Sequence, residues 1–228
     1  FPAAYSDAGA TASDNFDGDL TTSIQTLSTV NTSALGSYTI TYNVSDTNGL
    51  AAAQVIRTVD VVDTTAPVIL LSGADPQIIE INSAYAELGA TASDNVDGDM
   101  TASIVINAVA VNTSLLGSYS VTYDVTDSST NSAATVTRTV EVKDTTPPVV
   151  GPVGNQSVDE ETTLQFAISA NDNVSLSNEL TYSSSNLPAG ATLDSATGQF
   201  AYTPGYGVSD PMLDTVYSVN CSVSDGAG

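Results

Sequence analysis

Histidine and tryptophan are absent, cysteine occurs once, and three basic residues, Arg57, Arg138 and Lys143, stand against 26 acids. Each shortage excludes something. Without histidine the chain lacks the commonest general base and the commonest transition-metal ligand. A formal charge of −23 leaves no basic footprint for a phosphate backbone, so nucleic acid is excluded as a partner, and anionic membrane surfaces with it. Lone Cys221 permits no internal disulfide framework. It shares an alternating face with Tyr217, Val219 and Val223 and reads as a small buried thiol. No apolar run reaches the roughly 18 residues a membrane span needs, and these residues include no signal peptide. Cations are the natural counterpart of such a chain.

What is present is repetition. Gly-Ala-Thr-Ala-Ser-Asp-Asn-Phe-Asp-Gly-Asp-Leu-Thr at residues 9–21 returns at residues 89–101 with Val96 for Phe16 and Met100 for Leu20. Residues 35–46 match 116–127, and residues 57–68 match 138–149. The offset grows from 80 to 81, which places a one-residue insertion between Ile104 and Asn112. A period of that size is a small domain rather than a solenoid unit.

Within each repeat the apolar period is two. Tyr38, Ile40, Tyr42 and Val44 share one face, as do Tyr119, Val121, Tyr123 and Val125, with polar residues opposite. That is a half-buried antiparallel strand. Asp46-Thr47-Asn48-Gly49 is a hairpin signal before the β-branched run that follows. No helical stripe occurs. The chain is therefore expected to be all-β, three tandem immunoglobulin-like antiparallel sandwiches over residues 1–63, 64–144 and 145–228. The third differs in pattern, with Leu164, Phe166, Ile168 and Ala170 inward and strands around Leu180, Tyr182, Leu193, Phe200 and Tyr202. Asp-Thr-Thr-Ala-Pro and Asp-Thr-Thr-Pro-Pro form short, stiff linkers. Phe1-Pro2-Ala3-Ala4-Tyr5 aligns with residues 81–85, so repeat one lacks a counterpart of residues 64–80, and repeat three stops inside its last hairpin. Both are expected to be incomplete, in an excerpt of a longer chain. Polymerisation by strand donation would need a spare strand, and neither end carries one.

Residues 63–69, 89–101, 116–119 with Tyr123, and 138–140 with Asp144 resemble the bacterial surface-protein immunoglobulin-like repeat, a relative of the hyalin repeat. Ala170-Asn171-Asp172-Asn173, residues 180–182, 187–194, 197–200, 202–204 and 223–226 resemble the dystroglycan-type cadherin-like immunoglobulin domain. The resemblance implies extracellular arrays in surface proteins and adhesins, partnered by neighbouring domains or other protomers of a surface assembly, without catalysis. The cadherin-like family often carries a denser acidic motif than Asn171-Asp172-Asn173.

In a sandwich of this topology the second-to-third-strand loop, the last hairpin and the first-strand entry meet at one pole. Repeat two would gather Asp63, Asp94, Asp97, Asp99 and Asp127. Repeat one would gather Asp14, Asp17, Asp19 and Asp46, and the third Asp144, Asp172 and Asp225, with Asn171 and Asn173 as neutral ligands. An all-oxygen donor set suits calcium, which takes six to eight oxygens, better than magnesium. It is not an EF-hand, because Gln25 and Val105 stand where its last glutamate belongs. The competing reading is turn chemistry alone, with Asp and Asn bonding locally and Gly18 and Gly98 supplying positive φ.

Arg57 and Arg138 are each expected to lay a stem over the core and pair with an acid rather than clamp a ligand. Six Asn-X-Ser/Thr sequons, including Asn173-Val174-Ser175, are expected by chance in so Asn/Ser/Thr-rich a chain. The functional expectation is a non-catalytic extracellular spacer of a surface protein or adhesin with calcium-stiffened joints. Alternatives are a filament subunit and a carbohydrate-binding module with Tyr206 as its exposed aromatic. Recurrence of the acid pair Asp97/Asp99 on turns argues against acid–base catalysis.

Overall fold

The computed structural model describes residues 4–174, 179–207 and 215–226; residues 1–3, Ser175 and residues 227–228 lie outside that range. The described residues are strands joined by turns, with two single-turn 3-10 helices at Thr21–Ser23 and Thr101–Ser103 and no α-helix. Contacts divide the chain into two compact units. One comprises Phe1–Asp75, Glu87–Val109 and Val121–Arg138; the other comprises Pro76–Ala86, Ala110–Ser120 and Thr139–Gly228. The division runs through repeat two, so each Asp-Thr-Thr linker lies inside one unit.

Repeat one contributes β1 (Ser13–Asp14), β2 (Gly18–Asp19), β3 (Gln25–Ser28), β4 (Gly36–Asn43) and β5 (Val55–Val61) to the first unit. β1 and β2 pair only with each other, while β4 lies between β3 and β5. Repeat two supplies β6 (Val68–Leu71), β7 (Gln77–Glu80), β8 (Ala90–Asp94), β9 (Gly98–Asp99), β10 (Val105–Asn107), β11 (Gly117–Asp124) and β12 (Val136–Lys143). In the first unit β6-β8-β9 form one sheet and β10-β11-β12 the other. The expected alternation holds: Ile40, Tyr42, Val121, Tyr123 and Val125 are buried, while Thr39, Asn43, Ser120 and Asp124 are exposed. Burying one β-branched or aromatic side chain in every two residues is what holds these strands in register.

The second unit begins where β7 joins β12 in parallel, from Val140 opposite Gln77 to Lys143 opposite Glu80. Repeat three adds β13 (Val149–Val150), β14 (Leu164–Ala167), β15 (Ala170–Asn171), β16 (Thr181–Ser184), β17 (Thr192–Leu193), β18 (Gln199–Tyr202) and β19 (Cys221–Ser224). The pairings are β13-β15, β14-β18-β17 and β16-β19. Ile168, Ala170, Leu180 and Tyr182 form its core, flanked by Phe166, Leu193, Cys221 and Val223. Cys221 packs there as a half-buried free thiol. Gly198, at φ +67, is required: a Cβ would meet the Ile168 carbonyl at 2.7 Å.

Candidate cation sites at the linkers

The repeated phrase folds into the same turn twice. Asp94 Oδ1 accepts from the N–H groups of Val96 at 2.7 Å and Asp97 at 3.1 Å; Asp14 does so from Phe16 at 2.7 Å and Asp17 at 3.0 Å. Those donors hold both carboxyls below the ordinary aspartate range. Gly18 and Gly98 take φ 75 and 73, as the turn demands. Turn chemistry therefore accounts for Oδ1. It leaves Asp94 Oδ2, which is buried and accepts no hydrogen bond.

That oxygen points into a cluster. Asp63, Asp94 and Asp127 bring carboxylate oxygens within 4.8 Å of one another. Asp63 and Asp127 are only 7% and 6% exposed. Asp63 Oδ1 accepts from Thr65 N–H at 3.1 Å, yet its Oδ2 is buried without a donor. Asn131 holds the cluster together: its side-chain N–H donates to Asp127 Oδ2 at 2.8 Å and to the Asp63 carbonyl at 3.2 Å. A buried carboxylate oxygen lacking a donor costs several kcal/mol unless a proton or cation neutralises it. The donor set fits a hard divalent cation.

Asp97 and Asp99 lie outside this cluster, and the reason is local. Asp97 accepts from Ser128 N–H at 2.9 Å and Oγ at 2.8 Å, tying the turn to the β11–β12 hairpin. Asp99 caps the 3-10 turn through Thr101 N–H at 3.0 Å. Asp17 and Asp19 do the same work with Thr47 and Thr21. Asp46 Oδ1 accepts from Asn48 and Leu50 N–H at 2.9 and 2.7 Å. Among the described residues repeat one assembles no group of three acids.

The second group is Asp144, Asp172 and Asp225, again with oxygens within 4.8 Å and all half-buried. Burial, followed by the charges of Asp172, Glu80 and Asp225, pushes the Asp144 carboxyl up despite the Thr146 N–H that it accepts. Glu80 is the neighbour that pattern reading missed. Its Oε2 accepts from Thr145 N–H at 2.7 Å and from the Thr145 hydroxyl, and its Oε1 from Asn173 at 2.8 Å. The Thr145 hydroxyl and Asn173 amide, first and second in weight, lower its carboxyl to about 2.

The two arginines serve the fold. Arg57 pairs with Asp7 and donates to the Gly9 carbonyl at 2.8 Å, while Tyr42 OH donates to Asp7 at 2.6 Å. Arg138, fully buried, donates to Tyr123 OH at 3.0 Å and to the carbonyls of Ser72 at 2.6 Å, Gly89 at 2.8 Å and Ala74. Its acid, Glu87, is reached through Tyr123 OH, which donates to it at 2.5 Å. The expected pairing with an acid is direct in repeat one and relayed by tyrosine in repeat two.

Fold and sites together define an array of immunoglobulin-like modules with acidic poles. The chain belongs to the family described as Bacterial surface protein, Ig-like domain, which matches residues 3–61 and 69–142, more than half of its length. Residues 147–228 match the family described as Putative Ig domain. Among curated proteins, pesticidal crystal protein Cry22Aa of Bacillus thuringiensis is 32% identical over 133 residues, 56% of this chain and 18% of that protein. The serine-rich adhesin for platelets of Staphylococcus aureus is 31% identical over 189 residues, 76% of this chain and 8% of that protein. The chain thus spans less than a fifth of either relative. A solved protocadherin gamma-B4 extracellular domain matches 86% of this chain and 37% of its own, at 18% identity and TM-score 0.37. Among the described residues no helix is long and apolar enough to cross a membrane.

Proposed function

We propose that this chain is a non-catalytic, extracellular spacer segment of a bacterial surface protein, and that calcium at its linker poles stiffens its joints. Membership of the surface-protein family and the adhesin relative support the location. One observation carries the calcium reading: linker residue Asp63 meets Asp94 and Asp127 with two buried oxygens, Asp63 Oδ2 and Asp94 Oδ2, that accept no hydrogen bond. A divalent ion there would bind the linker to two loops of repeat two, and Asp144, Asp172 and Asp225 would do the same for the next linker.

Extracellular modules of this kind bind calcium at about 10⁻⁴ to 10⁻³ M. At 10 mM calcium, mass action then adds about 1.4 to 2.7 kcal/mol per site. Scanning calorimetry of the chain with calcium, with magnesium and with chelator is the test. Calcium should raise the melting temperature by several degrees, and Asp63→Asn should remove much of that gain. Equal melting temperatures in all three buffers, with no bound metal by calorimetric titration, would refute the calcium reading.

A further inference from the structure

The two repeats share a sequence but not a cover. In repeat two, β6 lies antiparallel along β8, with Leu71 opposite Ala90, Leu70 opposite Thr91, Ile69 opposite Ala92 and Val68 opposite Ser93. Ser72 N–H extends the ladder to the Gly89 carbonyl at 3.0 Å. Ala90, Ala92 and Met100 are buried beneath it. In repeat one the matching edge is Ala10-Thr11-Ala12-Ser13, and among the described residues no strand lies along its outer side. Ala10, Ala12 and Leu20 are consequently only half-buried.

What remains is an open groove of about 470 Å³, floored by apolar groups that include Ala10, Ala12, Leu20, Tyr42 and Val44. Asp14 and Asp46 also line it. They are the counterparts of Asp94 and Asp127. In repeat two the third carboxylate of that set, Asp63, lies five residues ahead of Val68, the first residue of the covering strand.

We infer that the groove of repeat one is an acceptor for an extended β-strand of the linker type, whose leading aspartate joins Asp14 and Asp46 in a cation site. The occupant has stated chemistry: Asp-Thr-Thr-x-Pro followed by aliphatic residues, the second and fourth of them turned inward as Ile69 and Leu71 are. Main-chain pairing supplies affinity and the alternate side chains supply register. The same inward pair would cover Ala12 and Ala10. The cation part of the inference rests on the calcium reading above; the strand part does not.

The test uses the full chain and a fluorescently labelled peptide with the sequence of residues 63–73, followed by anisotropy with calcium or chelator. We expect saturable one-to-one binding, tightened about tenfold by calcium, with the peptide tightening calcium binding by the same factor because coupling is reciprocal. A peptide with proline at the position of Leu70 lacks a ladder N–H and should bind at least tenfold more weakly. A peptide with asparagine for the aspartate should bind but lose the calcium effect, as should an Asp46→Asn chain. No binding at millimolar peptide, or equal binding of the proline peptide, would overturn the strand acceptor. Tight binding unchanged by calcium would overturn the shared cation site. Self-association of the chain that the peptide does not compete away would instead assign the groove to a second copy. Failure of the calcium reading itself appears separately, as no calcium uptake with or without peptide.

Discussion

Arg138 and Arg57 occupy matching positions and carry unequal burdens. Arg138 is fully buried and organises four acceptors, whereas the ion pair of Arg57 with Asp7 keeps 35% of the arginine side chain exposed. Replacing Arg138 with methionine strands three buried carbonyls and a tyrosine hydroxyl and should cost about 3 kcal/mol or more. Arg57→Met should cost about 1 kcal/mol or less, as exposed ion pairs do. Urea denaturation of the two variants measures the difference. Glu80 makes a pH-dependent contribution of the opposite kind to Asp144. Its carboxyl is lowered from 4.5 to about 2, so the stability it adds is complete above pH 4.5 and fades as pH falls towards 2. The stability gap between the native chain and Glu80→Gln, measured in chelator, should close over that window. Asp144 is raised, so acidification relieves its repulsion with Asp172, Glu80 and Asp225 while protons displace any cation held there. Calcium affinity at that pole should therefore fall on acidification before the Glu80 contribution does, which titration calorimetry at stepped pH would record.

The hairpin from β11 to β12 is where the repeats diverge most usefully. Its counterpart in repeat one has Gly49 at φ 84; here Thr130 occupies that place at φ 71. A β-branched residue in left-handed backbone is strained by roughly 1–2 kcal/mol. Thr130→Gly should stabilise the chain by about 1 kcal/mol, part of the relief being offset by the freer unfolded state. One residue later Leu50 is replaced by Asn131, and that exchange supplies the amide that pins Asp127 and the Asp63 carbonyl. The acidic turn divides its labour in a way that substitution can separate. Asp97→Ala should cost about 1 kcal/mol by releasing Ser128 and leave calcium binding intact. Asp94→Ala should lose both the turn and the metal. Calorimetry with and without calcium distinguishes the two outcomes.

Across the whole molecule, a charge of −23 is a source of self-repulsion. Monovalent salt should raise the melting temperature in chelator, and much less once calcium is bound, since the ion neutralises the densest clusters directly. Under the spacer reading, calcium should also slow cleavage at residues 64–67 and 145–148 by a protease of broad specificity, while cleavage elsewhere changes little. The strand periodicity, both linkers, the turns at Gly18 and Gly98 and the inward face of repeat three were all legible in the chain, because they depend on local spacing and on backbone conformations few residues adopt. The membership of each acidic pole was legible only in part. Pattern reading brought Asp63, Asp94 and Asp127 together, and likewise Asp144, Asp172 and Asp225, because linker, loop and hairpin converge at one end of such a sandwich. It also included Asp97 and Asp99, which local hydrogen bonds divert to Ser128 and Thr101.

Sequence alone determined the all-β class and the recurrence of an acidic turn ahead of each tyrosine-rich strand, since alternation and repetition are one-dimensional properties. Only the tertiary structure decided which carboxylate oxygens are buried without a donor, that Glu80 and Asn131 belong beside them, and that the edge of repeat one lies open where β6 covers its twin. Those depend on which strand lies beside which. Residues 63, 94 and 127 are far apart in the chain, and convergence at that range is set by packing rather than by spacing.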